Sequence, residues 1–283
     1  MQQIVKYLEA ETLTAEGANG VRYAYRRLGP TGGRPLVLLQ HFRGNLENWD
    51  PDLIDALSSS RNVDVFDNTG VGATTGSTPT TFAQMADDAI VFVEALDLDK
   101  IDLLGFSIGS FIAQEIALTR PALAGKIVLA STAPQGAPGM HGWAPDIIKA
   151  IGEPTTDAEG FLHGFFTDSP ASRAAGAEFL GRIFSRTEGR DNDTTWQTRN
   201  AQYDAVLKWG TPNYSLLQRL SAIAQPVFIA NGDDDRMILP WYSHLVASLV
   251  PNAFVKLYPD AAHGFLFQHA KEFARDVLKF LDS

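Results

Sequence analysis

A serine in a glycine-flanked turn, a histidine in a late loop and a run of carboxylates between them are the residues here that could do chemistry. Ser107 stands in Gly105-Phe106-Ser107-Ile108-Gly109, a G-x-S-x-G. A chain with this glycine and serine content shows that pattern by chance about 0.1 times, so its place in the chain matters more than its letters. The apolar run Ile101–Leu104 leads directly into it and a helix-like segment, Ile108–Thr119, leads out, stopped by Pro121. A serine on such a strand-to-helix turn is held in strained backbone with its Oγ exposed. Glycines two residues to either side let strand and helix approach closely. The helix start adds unpaired N–H groups and a positive dipole end, which suit a developing oxyanion.

A serine is a poor nucleophile without a base, and the base needs an orienting acid. His263 fits the base: it follows the last strand, FVKLYPD, in Asp260-Ala-Ala-His-Gly. The other five histidines fit less well. His269 starts the final helix, His141 and His163 belong to a long insertion, His244 follows Pro240, and His41 ends a strand that precedes the serine. For the acid, Val227–Ala230 runs into Asn231-Gly232-Asp233-Asp234-Asp235, and local spacing does not choose among Asp233, Asp234 and Asp235. The turn after the preceding strand, Ser131-Thr132-Ala133-Pro134, holds no carboxylate.

The elements that must position these residues alternate. Leu36–Leu39, Val63–Phe66, Ile101–Leu104, Ile127–Ala130, Val227–Ala230 and Phe254–Tyr258 are short apolar runs, the pattern of strands covered on both faces. Tyr7–Leu13 and Val21–Leu28, joined by GANG, read as an antiparallel edge pair. Thr81–Leu96 reads as a helix opened by a capping box of Thr81 and Gln84, and Ala270–Leu281 as another with Phe273, Val277, Leu278 and Leu281 on one face. Strand–helix alternation predicts an α/β fold, a mostly parallel eight-stranded sheet with helices on both faces. From Pro134 to Asn213 no strand is visible and aromatic residues are frequent. A stretch of that length is too long for a plain connection. It reads as a helical insertion after strand 6, so that residues 1–133 and 214–283 form the core and 134–213 a cap.

Composition narrows the classes. The 283 residues contain no cysteine, which removes disulfides, thiolate metal sites and a cysteine nucleophile. Lysine and arginine number 23 against 33 acidic residues, a net charge of −10, the wrong sign for general nucleic-acid binding. No apolar run approaches the ~18–20 residues that span a bilayer. The start, MQQIVKYLEAETL, carries no basic segment followed by an apolar one. The expectation is a soluble, cytoplasmic protein.

Several segments together resemble the α/β-hydrolase superfamily over essentially the whole chain. Gln40-His41-Phe42-Arg43-Gly44-Asn45-Leu46-Glu47-Asn48-Trp49 is similar to its H-G-x-P-G-x-x-x-N-W loop, and Asp67-Asn68-Thr69-Gly70-Val71-Gly72 to its D-x-R-G-x-G loop. Gly105–Gly109 matches its nucleophile turn, Gly232 through Asp235 its acid-bearing G-x-x-D, and His263-Gly264 its histidine loop. The chain order Ser, Asp, His is that of the superfamily. The resemblance implies a triad of Ser107, Asp235 and His263, with the N–H groups of Phe42 and Ile108 as the oxyanion hole. It also implies a cap that closes over the serine. Three departures stand out: Gln40-His41 replaces the usual His-Gly, Thr69 replaces an arginine, and Pro240 lies five residues after Asp235 rather than four.

The implied reaction is hydrolysis of a carboxylic ester, lactone or related acyl bond of a small apolar or aromatic substrate through an acyl-enzyme. The GFSxG turn with a short cap looks most like the esterase and cofactor-free haloperoxidase branch. The alternatives are a cofactor-free lyase or carbon–carbon bond hydrolase on the same scaffold, and a slow-turnover ligand receptor. The aromatic content of the insertion suggests an apolar pocket, with His41, Trp143, Phe165 and Trp209 as candidate walls. No metal or organic cofactor is called for. The expected partner is a small-molecule substrate, with neither nucleic acid nor membrane, and a homo-oligomer is compatible with the sequence.

Overall fold

The computed structural model describes residues 5–140, 142–154 and 156–283. In chain order its strands are β1 (Leu13–Glu16), β2 (Arg22–Leu28), β3 (Leu36–Leu39), β4 (Val63–Phe66), β5 (Ile101–Phe106), β6 (Ala124–Ala130), β7 (Val227–Gly232) and β8 (Ala253–Tyr258). They form one eight-stranded sheet in the order β1-β2-β4-β3-β5-β6-β7-β8. β1 and β2 pair antiparallel, as β2 does with β4, and every pairing from β4 to β8 is parallel. The first strand differs from expectation. Tyr7–Glu9 is a turn of 3-10 helix and the strand begins only at Leu13. The Tyr7 side chain is buried in the cluster with Leu53, Ile54 and Leu57, and its hydroxyl donates to the Leu46 carbonyl, a use that an apolar-looking run does not reveal.

Helices α1 (Pro51–Ser58), α2 (Phe82–Ala95) and α3 (Ile108–Thr119) connect the first strands. α4 (Pro145–Ile151), α5 (Ala158–Phe165), α6 (Pro170–Ile183), α7 (Trp196–Trp209) and the short α8 (Tyr214–Leu217) lie between β6 and β7. α9 (Pro240–Leu249), α10 (Phe265–Gln268) and α11 (Ala270–Asp282) complete the chain. Side chains alternate across a strand, and the core divides accordingly. Val37 and Leu39 of β3 join the apolar cluster under α2 and α3, while Leu36 and Leu38 join the one under α1 and α11. At the start of α2, Thr81 Oγ accepts the Gln84 N–H at 3.3 Å. The Gln84 side chain bonds the Thr81 hydroxyl rather than its N–H, so only half of the expected capping box forms.

The segment between β6 and β7 is tied to the sheet by charge as well as by apolar contact. Arg182 of α6 grips Asp50, the buried N-cap of α1, through two bonds of 2.8 and 2.7 Å. Trp209 of α7 stacks on Phe111 of α3, with centroids 4.9 Å apart. His141 lies outside the described residues.

The β5–α3 turn is packed backbone against backbone. A Cβ on Gly105 would stand 2.3 Å from the Gly109 carbonyl oxygen, and one on Gly109 would stand 2.1 Å from that of Leu39. Both neighbours are backbone and cannot rotate away. Gly109→Ala is expected to cost about 3 kcal/mol or more, read as a melting temperature several degrees lower. A variant that melts with the wild type would show that the turn has room to relax.

Candidate active site

Ser107 occupies the turn with φ 57° and ψ −122°, a left-handed conformation that costs a residue with a side chain about 1–3 kcal/mol. It is held there from both sides. Its N–H donates to Ala130 of β6 at 2.9 Å, and its carbonyl accepts from the Ser110 N–H at 2.8 Å and hydroxyl at 2.6 Å. It is 2% exposed and lines a cavity of about 390 Å³.

Of the three carboxylates after β7, Asp233 and Asp234 are exposed and Asp235 is buried. Asp235 Oδ1 accepts the N–H groups of Met237 and Ile238 at 2.8 and 2.9 Å. Its Oδ2 faces His263 Nδ1 at 2.8 Å. The strand end that carries it is braced by Asn231, which accepts from Ser131 Oγ at 2.8 Å and donates to the Ile238 carbonyl at 2.9 Å. The carboxylate fixes the hydrogen of His263 on Nδ1. Its Nε2 has no hydrogen-bond partner among the described residues. His263 is wholly buried, lines the same cavity as Ser107, and is followed by Gly264, whose N–H donates to the Phe165 carbonyl at 2.7 Å. Of the other described histidines, His41 lines the same cavity, whereas His163 contacts Asp146, His269 contacts the Pro259 carbonyl, and His244 is exposed.

Phe42 follows β3 in a loop clipped by Gln40. The Gln40 side chain accepts the His41 N–H at 2.9 Å and donates to the Asn45 carbonyl at 3.1 Å. Phe42 N–H donates to no acceptor among the described residues. Ile108 is the first residue of α3, so its N–H lacks an acceptor one turn back. Arg43, with φ 62°, donates from its guanidinium to the carbonyls of Ile151, Glu153 and Pro154 at 3.3, 2.8 and 2.9 Å. Its N–H donates to Gln202 at 2.7 Å and its carbonyl accepts from Thr194 at 2.5 Å. The loop is thereby fastened to the segment between β6 and β7. Nothing in the local sequence signals this, since the acceptors of the guanidinium lie more than a hundred residues away.

His41 and Phe165 line the cavity. Trp143 and Trp209 do not take the wall positions expected of them. Trp209 is 3% exposed in the core between α3 and α7, and its indole N–H donates to the Ala133 carbonyl at 3.2 Å. Trp143 packs edge-on behind Phe42 at 5.1 Å and against Tyr203. Both fill the seam with the segment between β6 and β7. Phe161, Ile151, Leu180, Ile183 and Met237 supply apolar wall, and Asn45, Glu47, Arg190, Asp191 and Asp193 a polar end. Asp67 accepts the Leu46 N–H at 2.8 Å, and burial, with the Asp191 carboxyl beside it, pushes the Asp67 carboxyl well above the usual range.

Among the described residues no group of three or more His, Asp or Glu side chains is placed to hold a metal ion, and no helix is long and apolar enough to cross a membrane.

Comparison with known proteins gives a consistent picture. The alpha/beta hydrolase fold family model matches residues 34–270. An alpha/beta hydrolase fold protein from Chitinophaga pinensis is 39% identical, with a TM-score of 0.93, over 99% of this chain and 100% of that one. A poly(3-hydroxyalkanoate) depolymerase of Ectopseudomonas oleovorans is 29% identical over 87% of this chain and 84% of its own length. A non-heme chloroperoxidase of Streptomyces lividans is 26% identical over 95% of this chain and 99% of its own.

Burial pushes the His41 imidazole down to about 3, helped by His263 and opposed by the Phe42 carbonyl. The folded value lies below the ordinary 6.5, so between these limits the unfolded chain binds the extra proton. The His41 contribution to stability therefore falls as pH drops below 6.5, by about 1.4 kcal/mol per unit at most. Urea unfolding of wild type and His41→Asn at pH 6.5, 5.5 and 4.5 checks this. The variant should show the shallower pH dependence, and parallel curves would contradict it.

Proposed function

The chain belongs to the alpha/beta hydrolase fold family, whose model spans residues 34–270 of it, and on that premise we propose that this hydrolase cleaves carboxylic esters or lactones through an acyl-enzyme on Ser107. The observation that carries the reading is the shared cavity. There a left-handed Ser107 and the unpartnered Nε2 of an Asp235-oriented His263 line one space.

In this reading Ser107 Oγ attacks the substrate carbonyl as His263 Nε2 takes its proton. The carbonyl oxygen becomes an oxyanion received by the N–H groups of Phe42 and Ile108. Collapse of the tetrahedral species expels the alcohol, which takes the proton from His263, and leaves Ser107 acylated. Water, activated by the same histidine, then releases the acid and restores the serine. Asp235 stays ionised, holds the tautomer and stabilises the imidazolium. The serine–histidine hydrogen bond need not be formed before substrate arrives, since such contacts tighten in the complex. The segment 134–213 acts as a cap whose α4, α5 and α6 side chains supply the apolar wall. A cavity of about 390 Å³ suits a small acyl or alcohol group.

A fluorophosphonate probe is expected to label wild type and not Ser107→Ala. Across a panel of p-nitrophenyl esters, Ser107→Ala and Asp235→Asn should each lose about a thousandfold or more in kcat. Undiminished hydrolysis by Ser107→Ala would end the acyl-enzyme reading. Wild type that neither labels nor turns over, together with a His263-dependent lyase activity, would favour proton transfer without a covalent intermediate.

A further inference from the structure

Three cavity-lining residues keep a buried polar atom without a partner among the described residues: His263 Nε2, Asp191 Oδ2 and His41 Nε2. The first is the base of the proposed reaction. The second belongs to the carboxyl that meets Asp67. The third has no use so far. His41 is 4% exposed, and its Nδ1 lies 2.8 Å from the Phe42 carbonyl. A carbonyl can only accept, so Nδ1 carries the hydrogen and a neutral ring presents Nε2 as a bare lone pair. A buried acceptor left this way is costly. Three aromatic rings hold the imidazole where it is: Phe106 and Phe165, each 5.3 Å away, and Phe267 at 6.3 Å.

The place of that lone pair is informative. His41 immediately precedes Phe42, whose N–H serves the oxyanion in the proposed reaction. The rings of Phe106 and Phe165 that flank His41 also flank His263, at 5.0 and 5.4 Å. Two imidazoles thus border the same part of the cavity, one offering a base to Ser107 and the other an acceptor with nothing to receive.

We propose that the substrate carries a hydrogen-bond donor, a hydroxyl or an N–H, on the carbon next to its scissile carbonyl, and that His41 Nε2 accepts from it. The inference rests on the acyl-transfer reading for the identity of the carbonyl, and it makes His41 a specificity-determining residue. A group of the same size that cannot donate leaves the acceptor unpaired, and sites built to hydrogen-bond a substrate reject such analogues strongly.

Methyl 2-hydroxybutanoate, methyl 2-methoxybutanoate and methyl butanoate test this. Wild type should prefer the hydroxy ester to the methoxy ester by about tenfold or more in kcat/KM. His41→Phe should bring that ratio close to one, and His41→Gln, which keeps an acceptor, should recover part of it. Equal use of the two esters by wild type, or a His41→Phe that slows both and leaves the ratio intact, overturns the proposal. Binding of the two esters to Ser107→Ala, read by calorimetry, decides the point without turnover. Tighter binding of the hydroxy ester, lost in Ser107→Ala/His41→Phe, supports the acceptor even if no acyl-enzyme forms. Equal affinity, including none for either, overturns it. Failure of fluorophosphonate labelling in the same preparation would count against the acyl-enzyme alone.

Discussion

The left-handed backbone of Ser107 is the constraint on which the other parts depend. A conformation costing about 1–3 kcal/mol persists only where its surroundings leave no alternative, and here they leave none. The serine N–H is bonded into β6, its carbonyl caps the first turn of α3, and the turn closes on itself through two glycines whose neighbours are backbone. β5 sits at the middle of the sheet, between β3 and β6. The same strand order places the loops after β3, β7 and β8 around the serine, so Phe42, Asp235 and His263 approach it from separate strand ends. A displaced turn would misalign all three.

Around that turn, charge is sorted by whether it finds a partner. Asp235 is buried, accepting two N–H groups and facing an imidazole, whereas Asp233 and Asp234 remain in solvent. Asp50 is buried against a two-pronged arginine. Asp67 is wholly buried with the Asp191 carboxyl beside it, and its proton affinity rises. His41 is driven to its neutral form. A buried group either is paired or gives up its charge, and these residues divide along that line.

The same physics explains what could be read from the sequence. Strands β3 to β7 are buried along most of their length, so apolar residues dominate them and their positions stand out. The nucleophile turn was legible because close approach demands glycine at fixed offsets. Tyr7–Leu13 was misread as strand because a short apolar run looks alike in a strand and in a segment pressed on a helix. The choice among three adjacent aspartates depends on which one turns inward, which spacing alone does not tell, and only the resemblance to known sequences favoured Asp235. Trp143 and Trp209 read as pocket walls in the sequence because an aromatic residue has the same signature lining a cavity or filling a seam. The role of Arg43 was invisible, since its acceptors are backbone carbonyls more than a hundred residues away.

Arg43 joins two parts of the molecule that a gate would have to separate. Its guanidinium holds three carbonyls at the end of α4, and its main chain bonds Gln202 and Thr194, while the adjoining Phe42 lines the cavity and its N–H has no acceptor among the described residues. Lifting that region pulls directly on the donor beside it. In the proposed reaction, entry and reactivity are therefore mechanically in series: any displacement of that region wide enough to admit a substrate would also disturb the loop meant to receive the oxyanion.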